Sequence, residues 1–88
     1  MLKIKVHLEI FQEDDQFVGL CPELNVSSFG DTPADAEAFT QEAITLFLEE
    51  CQKMGTLEQV LAEAGFYMDG DTCTARKPVA EKELSFAV

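Results

Sequence analysis

The feature that most constrains the fold of this chain is the run Gly-Asp-Thr-Pro-Ala-Asp at residues 30–35, which carries the signals of a helix start. Thr32 can cap a helix through its hydroxyl, and Pro33 suits the first helical position. Asp35 places negative charge near the positive end of the helix dipole. Because the residues before Gly30 alternate like a strand, we predict a strand that passes directly into a long helix.

The predicted long helix runs to about Met54, and Gly55 fits the position just after its C-terminus. Thr56 and Gln59 have the spacing of a capping box, which predicts a second, shorter helix to about Ala64. Acidic and amide side chains lie on one side of the long helix, and apolar side chains share the other. The predicted apolar face comprises Ala36, Phe39, Ala43, Ile44, Phe47, Leu48 and Cys51.

The first part of the chain has the pattern of an antiparallel three-stranded meander. Apolar and polar residues alternate from Leu2 to Phe11, which predicts one half-buried strand. A polar turn leads to a second strand over Gln16–Cys21, and Pro22 should end it because proline lacks a ladder donor. Residues Leu24–Phe29 are predicted to form the third strand.

The last third of the chain gives weaker signals. Phe66–Asp69 is predicted to be extended, and Gly70-Asp71 is typical of a turn. Alternating apolar residues at 84, 86 and 88 predict a terminal strand, whereas residues 72–82 receive no assignment. The whole pattern predicts a single α+β domain over residues 1–88, with the order β-β-β-α-α-β, one long helix on the sheet and one short helix.

The charge of the chain limits its partners. Seventeen acidic residues against six basic ones give a net charge of −11. Between Asp31 and Gly65, eight acids are opposed only by Lys53, so this part of the chain would repel a phosphate backbone. We therefore expect no direct nucleic-acid binding. The same field would attract a basic protein, or would simply keep a small domain dispersed, and both interpretations stay open.

Size, hydropathy and cysteine usage favour a cytoplasmic homo-oligomer. The chain of 88 residues buries a limited core, which favours a homodimer. No apolar run approaches the roughly 18 residues of a membrane span, and the alternating N-terminus is unlike a secretory signal. Three cysteines without a close pair predict reduced thiols, with Cys51 on the apolar side of the long helix.

Few residues offer chemistry. His7, the sole histidine, is predicted to be an exposed strand residue, since no partner for acid–base or metal chemistry is clustered near it. Cys21 has no evident activating base. The acidic pairs at 14–15 and at 69 and 71 are interpreted as solvated turns, because the rest of a calcium loop is missing. We expect no enzymatic activity, no metal and no cofactor.

Several short motifs taken together resemble the HicB-type antitoxin family. The matching pattern covers about half of the chain, and the spacing from Gly-Asp-Thr to Glu-Ala-Ile is its most specific part. The chain lacks the Leu-Pro-Gly-Cys turn that the family often has before the serine. The residues that carry the resemblance are Phe17-Val18-Gly19, Cys21-Pro22-Glu23-Leu24, Ser28-Phe29-Gly30-Asp31-Thr32, Ala36 and Glu42-Ala43-Ile44.

The resemblance implies a partial ribonuclease-H-like sheet with one main helix packed across it and no nuclease activity. It implies neutralisation of a small, basic, messenger-RNA-cleaving toxin of the HicA type. No separate DNA-binding domain is expected after Gly65. The positions carried over from the motif, which we expect to shape the strand-to-helix junction, are Pro22, Gly30, Asp31, Thr32, Glu42 and Ala43.

Two further hypotheses accompany this one. Toxin contact is predicted through exposed sheet residues and through the helix acids Glu37, Glu49 and Glu50. The alternative is a stand-alone dimeric domain that binds another protein or senses a small ligand. A hydrolase on the same sheet would need converging acidic metal ligands, yet Glu9 is the only acid inside the predicted first strand and none lies in the second.

Overall fold

The computed structural model describes residues 2–88 and confirms an α+β fold with six strands and two helices. Three strands form the meander that the alternation predicted, and a long helix follows it directly. The elements in chain order are β1 (Lys3–Lys5), β2 (Glu9–Glu13), β3 (Gln16–Cys21), β4 (Val26–Gly30), α1 (Pro33–Met54), α2 (Leu57–Glu63), β5 (Phe66–Asp69) and β6 (Thr72–Ala75).

The strands form two three-stranded sheets. The meander sheet has the order β2-β3-β4 and is antiparallel throughout. The mixed sheet has the order β1-β6-β5, in which β1 lies parallel to β6 and β5 is antiparallel to β6. The first and last strands of the chain are therefore neighbours.

The prediction of one continuous strand over Leu2–Phe11 is wrong in one respect, because this segment is divided between the two sheets. Residues 6–8 form the break between β1 and β2. At this break the backbone N–H of His7 donates to a carboxylate oxygen of Glu23, at 3.1 Å, instead of to a strand. The apolar alternation continues through the break, with Val6 and Leu8 half-buried against the core, so the sequence pattern alone does not reveal it.

The third strand begins later than predicted. Residues 22–25 form a turn in which Leu24 is buried and Asn25 has a φ of 55°. Asparagine adopts this left-handed conformation more readily than most residues. The strand starts at Val26 and extends to Gly30, and β3 ends at Cys21 as the following proline predicted.

The predicted terminal strand over residues 84–88 is wrong, since no regular structure occurs there. The strand that pairs with the N-terminus is instead β6, in a segment that the sequence left unassigned. Gly70, with a φ of 67°, forms the predicted turn and folds β6 back along β5. In the mixed sheet β6 lies between β5 and β1 and is paired on both sides.

Both ends of α1 have the predicted caps. The backbone N–H of Asp35 donates to the hydroxyl of Thr32 at 3.0 Å, with Thr32 in an extended conformation. Gly55 has a φ of 73°, and its N–H donates to the carbonyl of Gln52 at 3.2 Å. These local contacts explain why the helix boundaries could be read from the sequence.

The predicted capping box of α2 does not form. The hydroxyl of Thr56 donates backward to the carbonyl of Cys51 at 3.4 Å, and the side chain of Gln59 donates to Glu63. The helix nevertheless begins at Leu57, and Gly65, with a φ of 86°, leads into β5. Tertiary packing of Leu61 in the core therefore holds this short helix more than a cap does.

The meander sheet and α1 approach each other at two glycines. A Cβ added at Gly19 would overlap the hydroxyl of Thr40 and lie 2.9 Å from the carbonyl oxygen of Ala36. A Cβ at Gly30 would lie 2.6 Å from the Cβ of Asp35. Ala36 and Thr40 are fully buried, and the hydroxyl of Thr40 donates to the carbonyl of Ala36 at 2.6 Å. Small residues on both elements thus set the distance between helix and sheet.

The core continues from this contact toward the mixed sheet. All three cysteines are free and buried, which agrees with the predicted reduced thiols and with the predicted place of Cys51 on the apolar side of α1. Phe39, which was assigned to the apolar face, is 47% exposed, so that part of the prediction is wrong. The buried cluster comprises Cys21, Leu24, Ile44, Leu61, Phe66 and Cys73. No helix in residues 2–88 is both long and apolar enough to cross a membrane.

We expect Gly19→Ala to lower the free energy of unfolding by about 1–3 kcal/mol, the range for overpacking a filled interior. The added methyl group collides with Thr40 and with the α1 backbone. Thermal or urea unfolding of the variant measures this loss.

The matched control is Thr40→Ala, alone and combined with Gly19→Ala. If the collision with the Thr40 hydroxyl causes the loss, Thr40→Ala costs less in the Gly19→Ala background than in the natural chain. Strictly additive effects of the two substitutions would contradict this cause.

Candidate functional site

The motif positions fall in three different places. Gly30, Asp31 and Thr32 form the junction between β4 and α1, as expected. Pro22 lies in the turn after β3, at the other end of the meander from Gly30, which pairs with Phe17. The remaining two positions, Glu42 and Ala43, lie in the middle of α1, where Glu42 is exposed and Ala43 is half-buried.

The three helix acids predicted to contact a partner are all exposed but do not form one patch. At 100° per residue, Glu37, Glu49 and Glu50 point in directions that differ by about 100° to 140°. Glu37 and Glu49 are also about 18 Å apart along the helix axis. A single flat partner surface therefore cannot contact all three.

A different combination on α1 does form a continuous surface. Phe39 and Leu46 are 47% and 59% exposed, and they lie beside the face that α1 buries, about 100° to 120° around the helix from its centre. Acidic residues occupy the neighbouring positions, and Lys53 lies at the C-terminal end of the same line. We call this surface the α1 ridge, and it comprises Phe39, Glu42, Leu46, Glu49 and Glu50.

The helical pattern in the sequence does not reveal the α1 ridge. Phe39 lies at the margin of the apolar arc, so periodicity alone placed it on the buried side. Leu46 falls outside that arc, and a single exposed apolar residue on a helix does not by itself indicate a contact surface. The two residues are recognised as one apolar surface only because the structure exposes both of them, about two turns apart on the same side of α1.

A second candidate site lies where β1 and β2 separate. His7 is exposed, as predicted, but it lies in the break between the strands and has a partner that is 16 residues away in sequence. The Nδ1 atom of His7 is 2.5 Å from Oε2 of Glu23, whose side chain is only 13% exposed. The thiol of Cys21 donates to Oε1 of the same carboxylate at 3.7 Å.

The electrostatics of this site favour an ionised carboxylate and a protonated thiol. Partial burial raises the pKa of Glu23, but the hydrogen bonds from the side chain and the backbone of His7 outweigh it and hold the pKa below its ordinary value. Burial raises the pKa of the Cys21 thiol, and the charge of Glu23 raises it further, against hydrogen bonding from the Leu24 backbone. Cys21 is fully buried, so it does not have the properties of a nucleophile.

A cavity of about 610 Å³ opens beside the His7–Glu23 pair. Its walls include three basic residues, Lys5, Arg76 and Lys77, and two acidic ones, Glu23 and Glu81, and the chain over residues 74–81 borders it. Basic side chains therefore gather at this end of an otherwise acidic molecule. Within residues 2–88, no three histidine, cysteine, aspartate or glutamate side chains converge in a way that could hold a metal ion.

Comparison of the chain with family models, with curated proteins and with solved structures finds no match. The resemblance of the motif to the HicB type therefore stays a prediction. The features that bear on function are the α1 ridge, the His7 cavity and the charge of the chain.

We expect Glu23→Gln to lower the free energy of unfolding at pH 7 by about 1 kcal/mol, because a charged hydrogen-bond acceptor becomes a neutral one. A depressed pKa in the folded state stabilises the protein above the ordinary glutamate pKa of about 4.3, and this contribution is lost as the pH falls through the depressed value. The difference between natural chain and variant should therefore shrink below about pH 4.3. Denaturant unfolding at a series of pH values measures it.

Glu37→Gln is the matched control, because Glu37 is an exposed acid of α1 that lies outside the walls of the His7 cavity. The control should leave the pH dependence of stability close to that of the natural chain. A Glu23→Gln variant with the same acid sensitivity as the natural chain would show that the His7 contact contributes nothing to stability.

Proposed function

We propose that this protein is a non-catalytic, HicB-like antitoxin of the cytoplasm, which binds and neutralises a small, basic, messenger-RNA-cleaving toxin of the HicA type. The observation that carries the proposal is the α1 ridge, where two exposed apolar side chains stand among acids on the longest helix. The motif resemblance supplies the class of partner.

Charge supports a basic partner. With a net charge of −11, the chain produces a negative field that speeds the approach of a cationic protein and keeps nucleic acid away. Glu42, Glu49 and Glu50 concentrate part of that field on the α1 ridge. A toxin that binds RNA must itself present a basic surface, and covering that surface would also block its substrate.

The apolar residues of the α1 ridge supply the binding affinity that charge alone does not supply. Exposed charges steer an encounter but add little affinity, because they remain hydrated. Large apolar side chains at the centre of an interface provide most of the binding free energy once acidic neighbours exclude water around them. Phe39 and Leu46 have this position within the α1 ridge.

The cavity beside His7 favours a second candidate, a stand-alone domain that senses a small ligand. Lys5, Arg76 and Lys77 would attract an anion, and the imidazole of His7 offers a further polar contact. A small carboxylate or phosphate fits this chemistry. In this case the domain has no toxin partner, and the α1 ridge contacts another protein.

Co-expression with a short basic protein encoded by the neighbouring gene tests the antitoxin proposal. We expect that protein alone to arrest growth, and the present chain to restore growth and to co-purify with it. Leu46→Ala should weaken the complex at least about tenfold, as for a central apolar contact. Isothermal titration with the purified partner measures the affinity.

Met68→Ala is the matched control, because Met68 is 55% exposed but lies on β5, which does not contact α1. It should leave the affinity unchanged. If the chain rescues growth but both variants change the affinity equally, the antitoxin function is supported and the α1 ridge is rejected as the binding surface. Absence of any toxic neighbour or co-purifying protein would reject the antitoxin function.

The ligand-sensing candidate predicts a different result. Inorganic phosphate or a small dicarboxylate should shift the imidazole resonances of His7, and Lys77→Ala should weaken that shift severalfold. Lys53→Ala, which removes a lysine remote from the cavity, is the control. Unchanged imidazole resonances up to millimolar anion would reject this candidate.

A further inference from the structure

The meander sheet has one face that no other element covers. Gly19 points toward α1, so the alternate residues of β3, Val18 and Leu20, point to the opposite side. In the strand register Phe11 lies beside Val18, and Val18 lies beside Phe29. These three side chains form an apolar row across all three strands. We call this side of the sheet the outer face.

The outer face is exposed and has acidic margins. Phe11 is 48% exposed and Phe29 is 64% exposed, and α2 contacts only α1 and β5 among the described elements. Glu9 and Glu13 lie two residues on either side of Phe11, on the same side of β2. An exposed apolar row of this kind, bordered by charge, is typical of a binding surface.

The C-terminal segment over residues 76–88, which we call the tail, has the complementary pattern. Leu84, Phe86 and Val88 are 68%, 81% and 125% exposed, so they contribute little to the core of this chain. In an extended chain they share one side with Lys82, two residues before Leu84. The tail thus offers one basic and three apolar side chains in a line.

Charge distinguishes the tail from the rest of the chain. It contains three basic and two acidic residues and has a net charge of +1, which leaves −12 for the remaining residues. Lys82 is two residues from the apolar residue Leu84, and Glu9 and Glu13 are each two residues from Phe11, so in both segments a charged side chain flanks an apolar one on the same side of the backbone. A basic residue of the tail can therefore face an acidic margin while its apolar residues cover the row.

Residues 76–81 of the tail border the His7 cavity, and Arg76 donates its N–H to the carbonyl of Gly65, whereas the outer residues of the tail project from the body. The radius of gyration is 15.3 Å, whereas a compact chain of this length has about 12 Å. Residues 82–88 lie beyond the part of the tail that borders the cavity, and when extended they can span about 23 Å, which is comparable to the shortest dimension of the molecule, 22 Å. The tail is thus long enough to reach the outer face of a neighbouring molecule.

We propose that the protein forms a homodimer by exchange, in which the tail of each copy lies across the outer face of the other. Leu84 and Phe86 cover the row of Phe11, Val18 and Phe29, and Lys82 faces Glu9 or Glu13. The exchange is reciprocal, so a two-fold axis covers both faces and both tails at once. This inference concerns assembly and is independent of the proposed toxin binding.

The exchange accounts for two features of the monomer together. Only eight apolar residues of the described chain are buried, which is a small core for a domain of this size. Covering the outer face adds aromatic and aliphatic area from both copies to the buried total. The net-positive tail also lowers the repulsion that two strongly acidic bodies would otherwise experience at close range.

Sedimentation equilibrium of three chains tests the exchange. The full chain should be a dimer, and a chain ending at residue 80 should be a monomer. Phe86→Ser should raise the dimer dissociation constant at least about tenfold, as for loss of a central aromatic contact. Ser85→Ala, which alters the opposite side of the extended tail, should leave it unchanged.

Mixing two variants distinguishes exchange of tails between copies from a tail that covers the outer face of its own chain. A chain ending at residue 80 retains an intact outer face, and a full-length Phe29→Lys chain retains an intact tail. Each alone should be a monomer, and an equimolar mixture should form a heterodimer through one remaining tail contact. Circular dichroism confirms that both chains are folded.

A monomeric full chain, or a truncated chain that still forms the dimer, overturns the proposal. So does a mixture in which the two variants, each a folded monomer, do not associate, because then the tail covers the face of its own chain.

Discussion

The fold depends on how closely α1 can approach the meander sheet. Gly19 and Gly30 on the strands face Ala36 and the first turn of the helix, and any side chain larger than hydrogen at either glycine would collide with α1. Thr40 completes the contact by donating its hydroxyl to the helix backbone, so this polar group is buried without an unsatisfied donor. The close approach directs one side of α1 into the core and leaves the α1 ridge facing outward.

The sequence predicted the elements whose signals are local. Thr32, Pro33 and Gly55 define α1 within a few residues of its ends, and the structure contains both caps. The division of the first strand could not be predicted, because it depends on Glu23 and on pairing with β6, both remote in sequence. The apolar pattern at residues 84–88 was misleading for the same reason, since alternation shows what a segment can form but not whether it pairs with another strand.

The candidate binding surfaces show the same difference between signals that are local in sequence and contacts that are not. The acidity of α1 was evident from composition, but the choice of Glu37, Glu49 and Glu50 ignored their direction around the helix. The exposure of Phe39 and Leu46 identifies the outward side of α1 on which the proposed contact lies. This side could be located only once the buried side of the helix was known. The partner of His7 was equally hidden, because a contact across 16 residues leaves no periodic trace in a sequence.

The parallel pairing of β1 with β6 has a consequence for the order in which the chain acquires its structure. Lys3 pairs with Thr72, which is 69 residues later, so the chain must be synthesised beyond Thr72 before the first strand of the mixed sheet finds its neighbour. The meander and α1 use contacts that are much closer in sequence and can form earlier during synthesis. Until β6 emerges from the ribosome, the N-terminal strand has an open edge, and Lys3 and Lys5 place charges on that edge that discourage premature association with other chains.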